Sequence, residues 1–355
     1  MHGLFPGLGG LFAHHSGSFV NPSCEPEYLL GLLLDDAFPQ RRVSKEKKVI
    51  RLDERFPSGQ GHCEAWLYLP EGPGPHPCIV FVHGIGAIRQ VRVGAYAERF
   101  TRAGYAVFAF DYRNWGASGG EPRFVANIQD QQADIHAAID HARSLDAIDA
   151  DRIALLGTSF GGGHALVVAA ARPDLAAVIA QCAVVDGLAA AVKAPSVLAL
   201  RWVLAGLIDQ AGSLFGRKPH YIKLAGEPGQ LALMTAPGAE AGYLAMIDGP
   251  SPWRNLIAAR FILGIPLFRP IHHAKRIEPR LLMIVTDKDE ISPPSAIAKV
   301  ARLAPRGEAV HFDAGHFEIY FGDFFDRATG AMLGFLSTTP ATAVRDHGAV
   351  QGARS

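Results

Sequence analysis

A surplus of either charge is missing from this chain of 355 residues: 34 lysines and arginines stand against 34 aspartates and glutamates. Without a basic excess there is no electrostatic footprint for nucleic acid or an anionic membrane, and neither is expected as a partner. Cysteine is scarce. Cys24, Cys63, Cys78 and Cys182 are scattered with no CxxC spacing, which argues against a disulfide framework and a zinc–thiolate site and suits a reducing compartment. No metal is expected, and the pair His272-His273 has no carboxylate at ligand spacing. No Gly-rich loop runs into G-K-[ST], so a P-loop is excluded. The run Gly84-Ile85-Gly86-Ala87-Ile88-Arg89 lacks the third glycine of a dinucleotide loop and no acidic residue follows at the ribose spacing, so no cofactor is expected. Long apolar runs are also wanting. The most apolar stretch, Ala194–Ile208, is interrupted by Arg201 and reads as too short to cross a bilayer. Met1–Val20 lacks the basic start and cleavage site of a secretory signal. The expectation is a cytoplasmic chain.

What is present is a regular alternation. Lys47–Glu54 and His62–Leu69 alternate apolar and polar residues around a Pro-Ser-Gly-Gln-Gly turn, and read as an antiparallel hairpin. Pro77–Val82, Tyr105–Phe110, Ile153–Leu156 and Ala176–Val185 read as buried strands. Between the first three lie helical stretches, Gln90–Ala103 and Phe124–Leu145. After Asp186 the pattern breaks and resumes with Arg280–Thr286 (strand), Pro294–Leu303 (helix), Glu308–Asp313 (strand) and Phe321–Leu336 (helix). The reading is an arm over 1–45, a core over 46–185 and 274–336, a helical lid over 186–273 and a loose tail over 337–355. An insertion after the sixth strand would cover the sheet edge at which open α/β sheets bind ligands. A homodimer through the lid or the arm is left open.

The chemistry centres on Gly157-Thr158-Ser159-Phe160-Gly161. It follows an apolar strand and precedes a run of small apolar residues, the strand–turn–helix context in which G-x-S-x-G presents a nucleophilic serine. A serine hydroxyl needs a base, and the base needs an orienting acid. His316 follows the last strand and Asp289 the one before it, in the order Ser, Asp, His. Asp287 is a loop neighbour. Asp186, at the end of the sixth strand, is the alternative acid or a substrate contact. The amides of Phe160 and Ile85, the latter in His83-Gly84-Ile85-Gly86, are the expected oxyanion donors. His164 reads as a packed histidine, and Arg113, beside Tyr112, as a bridge between loops. Trp202, Phe215, Tyr221, Tyr243 and Trp253 are expected to pack the lid, with one or two of them lining an apolar pocket.

These residues resemble the α/β-hydrolase superfamily over about Lys47–Leu336. The carriers are His83-Gly84, the run Phe110-Asp-Tyr-Arg-Asn-Trp-Gly-Ala-Ser-Gly-Gly-Glu-Pro-Arg123, the Ser159 turn, Asp289-Glu-Ile-Ser-Pro293 and Gly315-His316-Phe317. The Asp-Tyr-Arg run is similar to the branch of X-Pro dipeptidyl-peptidase-like and dienelactone-hydrolase-like proteins, the latter with a cysteine where this chain has Ser159. The resemblance implies a mostly parallel eight-stranded sheet flanked by helices, with the lid after the sixth strand. It also implies a metal-free serine hydrolase of a small acyl substrate: an ester, thioester or lactone. C–C bond hydrolysis or acyl transfer by the same residues is the alternative, and a non-catalytic scaffold the third reading.

Overall fold

A computed structural model describes residues 49–340, apart from 193–195 and 248. The arm expected over 1–45 and the tail beyond 340 lie outside the described residues. Strands β1 (Ile50–Ser58) and β2 (Gly61–Leu69) form the expected hairpin, in register from Ile50 opposite Leu69 to Ser58 opposite Gly61. Then come β3 (His76–Val82), α1 (Val93–Arg102), β4 (Ala106–Phe110), α2 (Ile128–Arg143), β5 (Ile148–Thr158), α3 (Phe160–Ala169) and β6 (Ala177–Gln181).

The intervening segment holds α4 (Gly187–Ala191), α5 (Ser196–Leu214), β7 (Tyr221–Ala225), β8 (Ala232–Met234), α6 (Ala239–Ala245), β9 (Ile257–Ala258) and α7 (Phe261–Gly264). The chain then completes the core with β10 (Arg280–Thr286), α8 (Pro294–Leu303), β11 (Gly307–Phe312) and α9 (Gly322–Ser337).

Eight strands make one sheet in the order β1-β2-β4-β3-β5-β6-β10-β11. Only β2 runs against its neighbours; the other pairings are parallel. Every residue of β4 and β6 is buried, which is why these strands are continuous apolar runs: helices cover both faces of a parallel sheet.

Three boundaries move, each for a local reason. Arg92 sits at φ 61°, outside helical space, so α1 begins at Val93 rather than Gln90. Phe124 at φ 58° keeps 124–127 out of α2, whose start is capped by the Asn127 side chain accepting from the Asp130 amide at 3.0 Å. Cys182 at φ 40° ends β6 four residues before Val185 and turns the chain off the sheet.

The insertion corrects the expectation of a helical segment. It contains a three-stranded sheet of its own, in the order β8-β7-β9, beside its helices. The α5 helix is also longer than expected. It runs 19 residues and is long and apolar enough to cross a membrane by length and composition. Its inward face is polar-anchored: Trp202 donates from Nε1 to the Ala232 carbonyl at 2.7 Å, and buried Asp209 pairs with Arg260 at 2.7 Å. Phe215, expected in the interior, is exposed.

Candidate active site

Ser159 lies between β5 and α3 with φ 53° and ψ −121°, a backbone conformation costly for a residue with a Cβ. Packing holds it there. The Ser159 amide donates to the Gln181 carbonyl at 2.9 Å, and its carbonyl accepts from Val184 and Gly162 at 3.0 Å each. Glycine is required on both sides. A Cβ on Gly157 would lie 2.3 Å from the Gly161 carbonyl oxygen, and one on Gly161 would lie 2.3 Å from the Val82 carbonyl oxygen. So α3 approaches both β5 and the end of β3 as closely as bare backbone allows, and the serine is raised over the end of the sheet.

The loops after β10 and β11 bring two more groups to it. His316 Nε2 lies 3.0 Å from Ser159 Oγ, and His316 Nδ1 lies 2.7 Å from Asp289 Oδ2. All three residues are buried. Asp289 has few free lone pairs. Oδ2 also accepts from the Thr286 hydroxyl at 2.8 Å, and Oδ1 accepts from the amides of Ile291 and Ser292 at 2.8 and 2.7 Å. Burial works against its charge, but His316 and these donors outweigh burial and hold the carboxyl below its ordinary range. An ionised Asp289 facing Nδ1 fixes the imidazole with Nδ1–H toward the acid and Nε2 free to take the serine proton.

The loop after β3 stands opposite. A Cβ on Gly84 would come 3.3 Å from Ser159 Cβ and 3.8 Å from Oγ, so this loop meets the nucleophile backbone to side chain. The turn is closed by the Ala87 amide donating to the Gly84 carbonyl at 3.2 Å. Phe160, the first residue of α3, has no carbonyl one turn back to take its amide, and the helix dipole adds to its pull on an anion. The Ile85 amide has no protein acceptor among the described residues. Two donors near a serine hydroxyl suit a developing alkoxide.

The other expected residues fall elsewhere. Asp186 pairs bidentately with Arg269 at 2.8 and 3.1 Å and accepts from the Ala189 amide at 3.1 Å, tying α4 to the segment before β10. Asp287 pairs with His311 at 2.8 Å in an exposed position. His164 is buried, with Nε2 3.0 Å from Gln131 Oε1, and burial beside His83 lowers its pKa to about 3, leaving it neutral. His273 contacts Arg276 at 2.7 Å. Arg113 pairs with buried Asp134 at 2.5 Å and with Asp130 at 3.6 Å, joining the loop after β4 to α2.

Four residues have roles here that the sequence did not reveal. Asp111, fully buried, accepts from the Arg89 amide at 2.7 Å and the Ala117 amide at 2.9 Å, and so organises the loops after β3 and β4 together. Tyr243 donates to the Ile85 carbonyl at 3.0 Å and Trp253 to the Gly86 carbonyl at 2.9 Å; the two rings are stacked 5.1 Å apart. Cys182 is buried beside Asp289 and His316, its Sγ 3.4 Å from the Tyr320 hydroxyl. Burial, with Asp289 adding to it, pushes the Cys182 thiol up to about 12.

Cys182, Asp289 and His316 are the one group among the described residues whose donor atoms cluster closely enough for a metal, within 4.8 Å. The chemistry of the set fits a proton relay better, since the thiol stays protonated and the other two already share a hydrogen bond. Around Ser159 and His316 opens a narrow cleft walled by Ile85, Val91, Met234, Tyr243, Met246 and Phe317. Three of these walls, Met234, Tyr243 and Met246, come from the insertion.

Comparison with known proteins agrees with this fold. A family model described as serine aminopeptidase, S33, matches residues 73–222. The quorum-quenching protein AidA of Acinetobacter baumannii is 42% identical over 285 residues, 80% of this chain and 94% of that protein. Thiohydrolase aneE of Aspergillus aculeatus is 23% identical over 283 residues, 76% of this chain and 87% of its own length. A solved structure of DcsB with its substrate analogue superposes with a TM-score of 0.71 over 82% of this chain and 99% of that one, at 22% identity, and so speaks for the fold. With the eight-stranded sheet, the strained serine turn and a relative this similar along most of its length, the chain belongs to the α/β-hydrolase superfamily.

Proposed function

We propose that the chain is a serine hydrolase that cleaves a carboxylic ester, thioester or lactone through an acyl-enzyme on Ser159. The observation that carries this is the continuous relay from Ser159 Oγ through His316 to Asp289, at 3.0 and 2.7 Å, with the Gly84–Ile85 loop against the same serine. Ser159 Oγ attacks the carbonyl carbon while His316 Nε2 takes its proton. Asp289 keeps the imidazole oriented and supports its transient positive charge. The Phe160 and Ile85 amides hold the oxyanion. His316 then gives the proton to the leaving alcohol, thiol or ring oxygen. A water activated by the same imidazole releases the acid and restores the serine.

The insertion serves as a lid that also forms one wall of the acyl site. Met234 and Met246 give that wall an adaptable apolar surface, so the acyl part of the substrate is apolar. The names of the relatives, quorum quenching and thiohydrolysis, support a small acyl compound with an activated ester, thioester or lactone carbonyl. A panel of p-nitrophenyl esters, acyl thioesters, acyl lactones and an X-Pro p-nitroanilide, graded in chain length, tests the reading with Ser159→Ala as control. Turnover of acyl substrates that vanishes in Ser159→Ala is expected. Turnover that survives in Ser159→Ala, or of the X-Pro amide alone, would overturn it.

A further inference from the structure

The outward face of α5 is built for another helix. Val197, Leu200, Leu204, Leu207, Ala211 and Leu214 follow one another at spacings of three and four, the 3.5-residue seam by which helices interlock side chains. In a globular helix that seam faces the core. Here it faces out: Val197 is 73%, Leu200 60%, Leu204 51%, Leu207 52% and Leu214 76% exposed, and Val203 and Ile208 flank them, also exposed. The opposite side is inward, with Leu198, Ala205 and Asp209 buried and Trp202 bonded to β8. The helix therefore turns its polar anchors inward and its apolar seam outward, and a contiguous patch of this kind marks an interaction surface.

We propose that this seam is the interface between two copies of the chain, α5 packing on α5 about a two-fold axis. The 3-4 spacing specifies a helix as the occupant, and a two-fold contact presents the same aliphatic stripe from both sides. Charge does not oppose it. Within Ser196–Leu214, Arg201 is engaged with the Gly229 carbonyl at 2.9 Å and Asp209 is paired inward with Arg260. A helix lying on lipid carries a basic face and interfacial aromatics. This one has a single base, and its tryptophan points inward. The size is adequate. A helix of 19 residues is about 28 Å long. With Val192 and Phe215 exposed just beyond its two ends, it can supply much of the roughly 800 Å² per partner of a standard interface.

Sedimentation velocity on the full chain at micromolar concentration tests this. Twice the 38.0 kDa chain mass is expected. Leu204→Glu and Leu207→Glu should each give a monomer with unchanged melting temperature and unchanged ester turnover per subunit. Lys299→Glu, exposed on α8 and away from α5, should remain dimeric. A monomeric wild type, a dimer that survives both seam substitutions, or a monomer that floats with phosphatidylcholine vesicles would overturn the proposal, the last in favour of a lipid surface.

Discussion

The phenol of Tyr243, carried by the insertion, donates to the main-chain carbonyl of Ile85, in the loop that meets Ser159, at 3.0 Å in a buried position. The insertion thus does more than wall the cleft: it fixes the peptide plane next to the one proposed to supply an oxyanion donor. Deleting an oxyanion donor costs about 10²–10³ in kcat. Tyr243→Phe leaves the donor but frees its peptide, so a fall in kcat of about tenfold is expected, with KM little changed. Steady-state kinetics on a short ester, beside a melting curve, checks this. A rise in KM alone would make Tyr243 a wall of the pocket and nothing more.

The acid is tested by a pair of substitutions. Asp289→Asn keeps the shape but presents an amide to His316 Nδ1, and should lower kcat by about four orders of magnitude. Asp186→Asn should leave kcat near wild type, because Asp186 is bonded to Arg269 and the Ala189 amide. The reverse ranking would move the acid to the end of β6.

Asp209 gives a pH-dependent stability. Burial alone would raise its pKa. The Arg260 guanidinium and the amides of Arg260 and His220 outweigh burial and hold it below the usual carboxylate value. A depressed folded pKa means that the stabilisation is fully present above the unfolded value, about 3.9, and is lost as pH falls through the lower folded one. Asp209→Asn leaves Arg260 without its partner and should destabilise the chain by about 3 kcal/mol at neutral pH. The gap from wild type should close as pH falls below about 4. Denaturant melts at neutral and acid pH measure both. A gap that does not change with pH would contradict this.

Gly161→Ala tests the serine turn. The added methyl would lie 2.3 Å from the Val82 carbonyl oxygen and 2.4 Å from that of His83, both backbone atoms that cannot swing aside. Loss of folded protein, or a melting temperature lowered together with loss of activity, is expected. An active variant of normal stability would mean that α3 and the end of β3 can separate without moving Ser159.

The sheet and the relay were legible because short-range chemistry writes them. Buried parallel strands need unbroken apolar runs, a nucleophile turn needs glycines at 157 and 161, and base and acid stand at consecutive strand ends. The insertion was hard to read for equally physical reasons. Strands β8 and β9 are three and two residues long, too short to carry a period. Tyr243 and Trp253 act on carbonyls 158 and 167 residues away in sequence, and no local pattern encodes such a bond. Phe215 misled because burial rules assign a large aromatic to a core, and this one is exposed just past the end of α5. Arg92 and Phe124, at positive φ, shifted two helix starts that composition alone would have placed earlier.

The most direct test of the serine mechanism is a rapid-quench experiment with a slow-turnover p-nitrophenyl ester, read by intact mass and peptide mapping. A burst of one nitrophenol per chain is expected, with one acyl group on the peptide carrying Ser159 and no adduct in Ser159→Ala. An acyl group mapped to any other residue, or full turnover with neither burst nor adduct under conditions that slow deacylation, would contradict catalysis through Ser159.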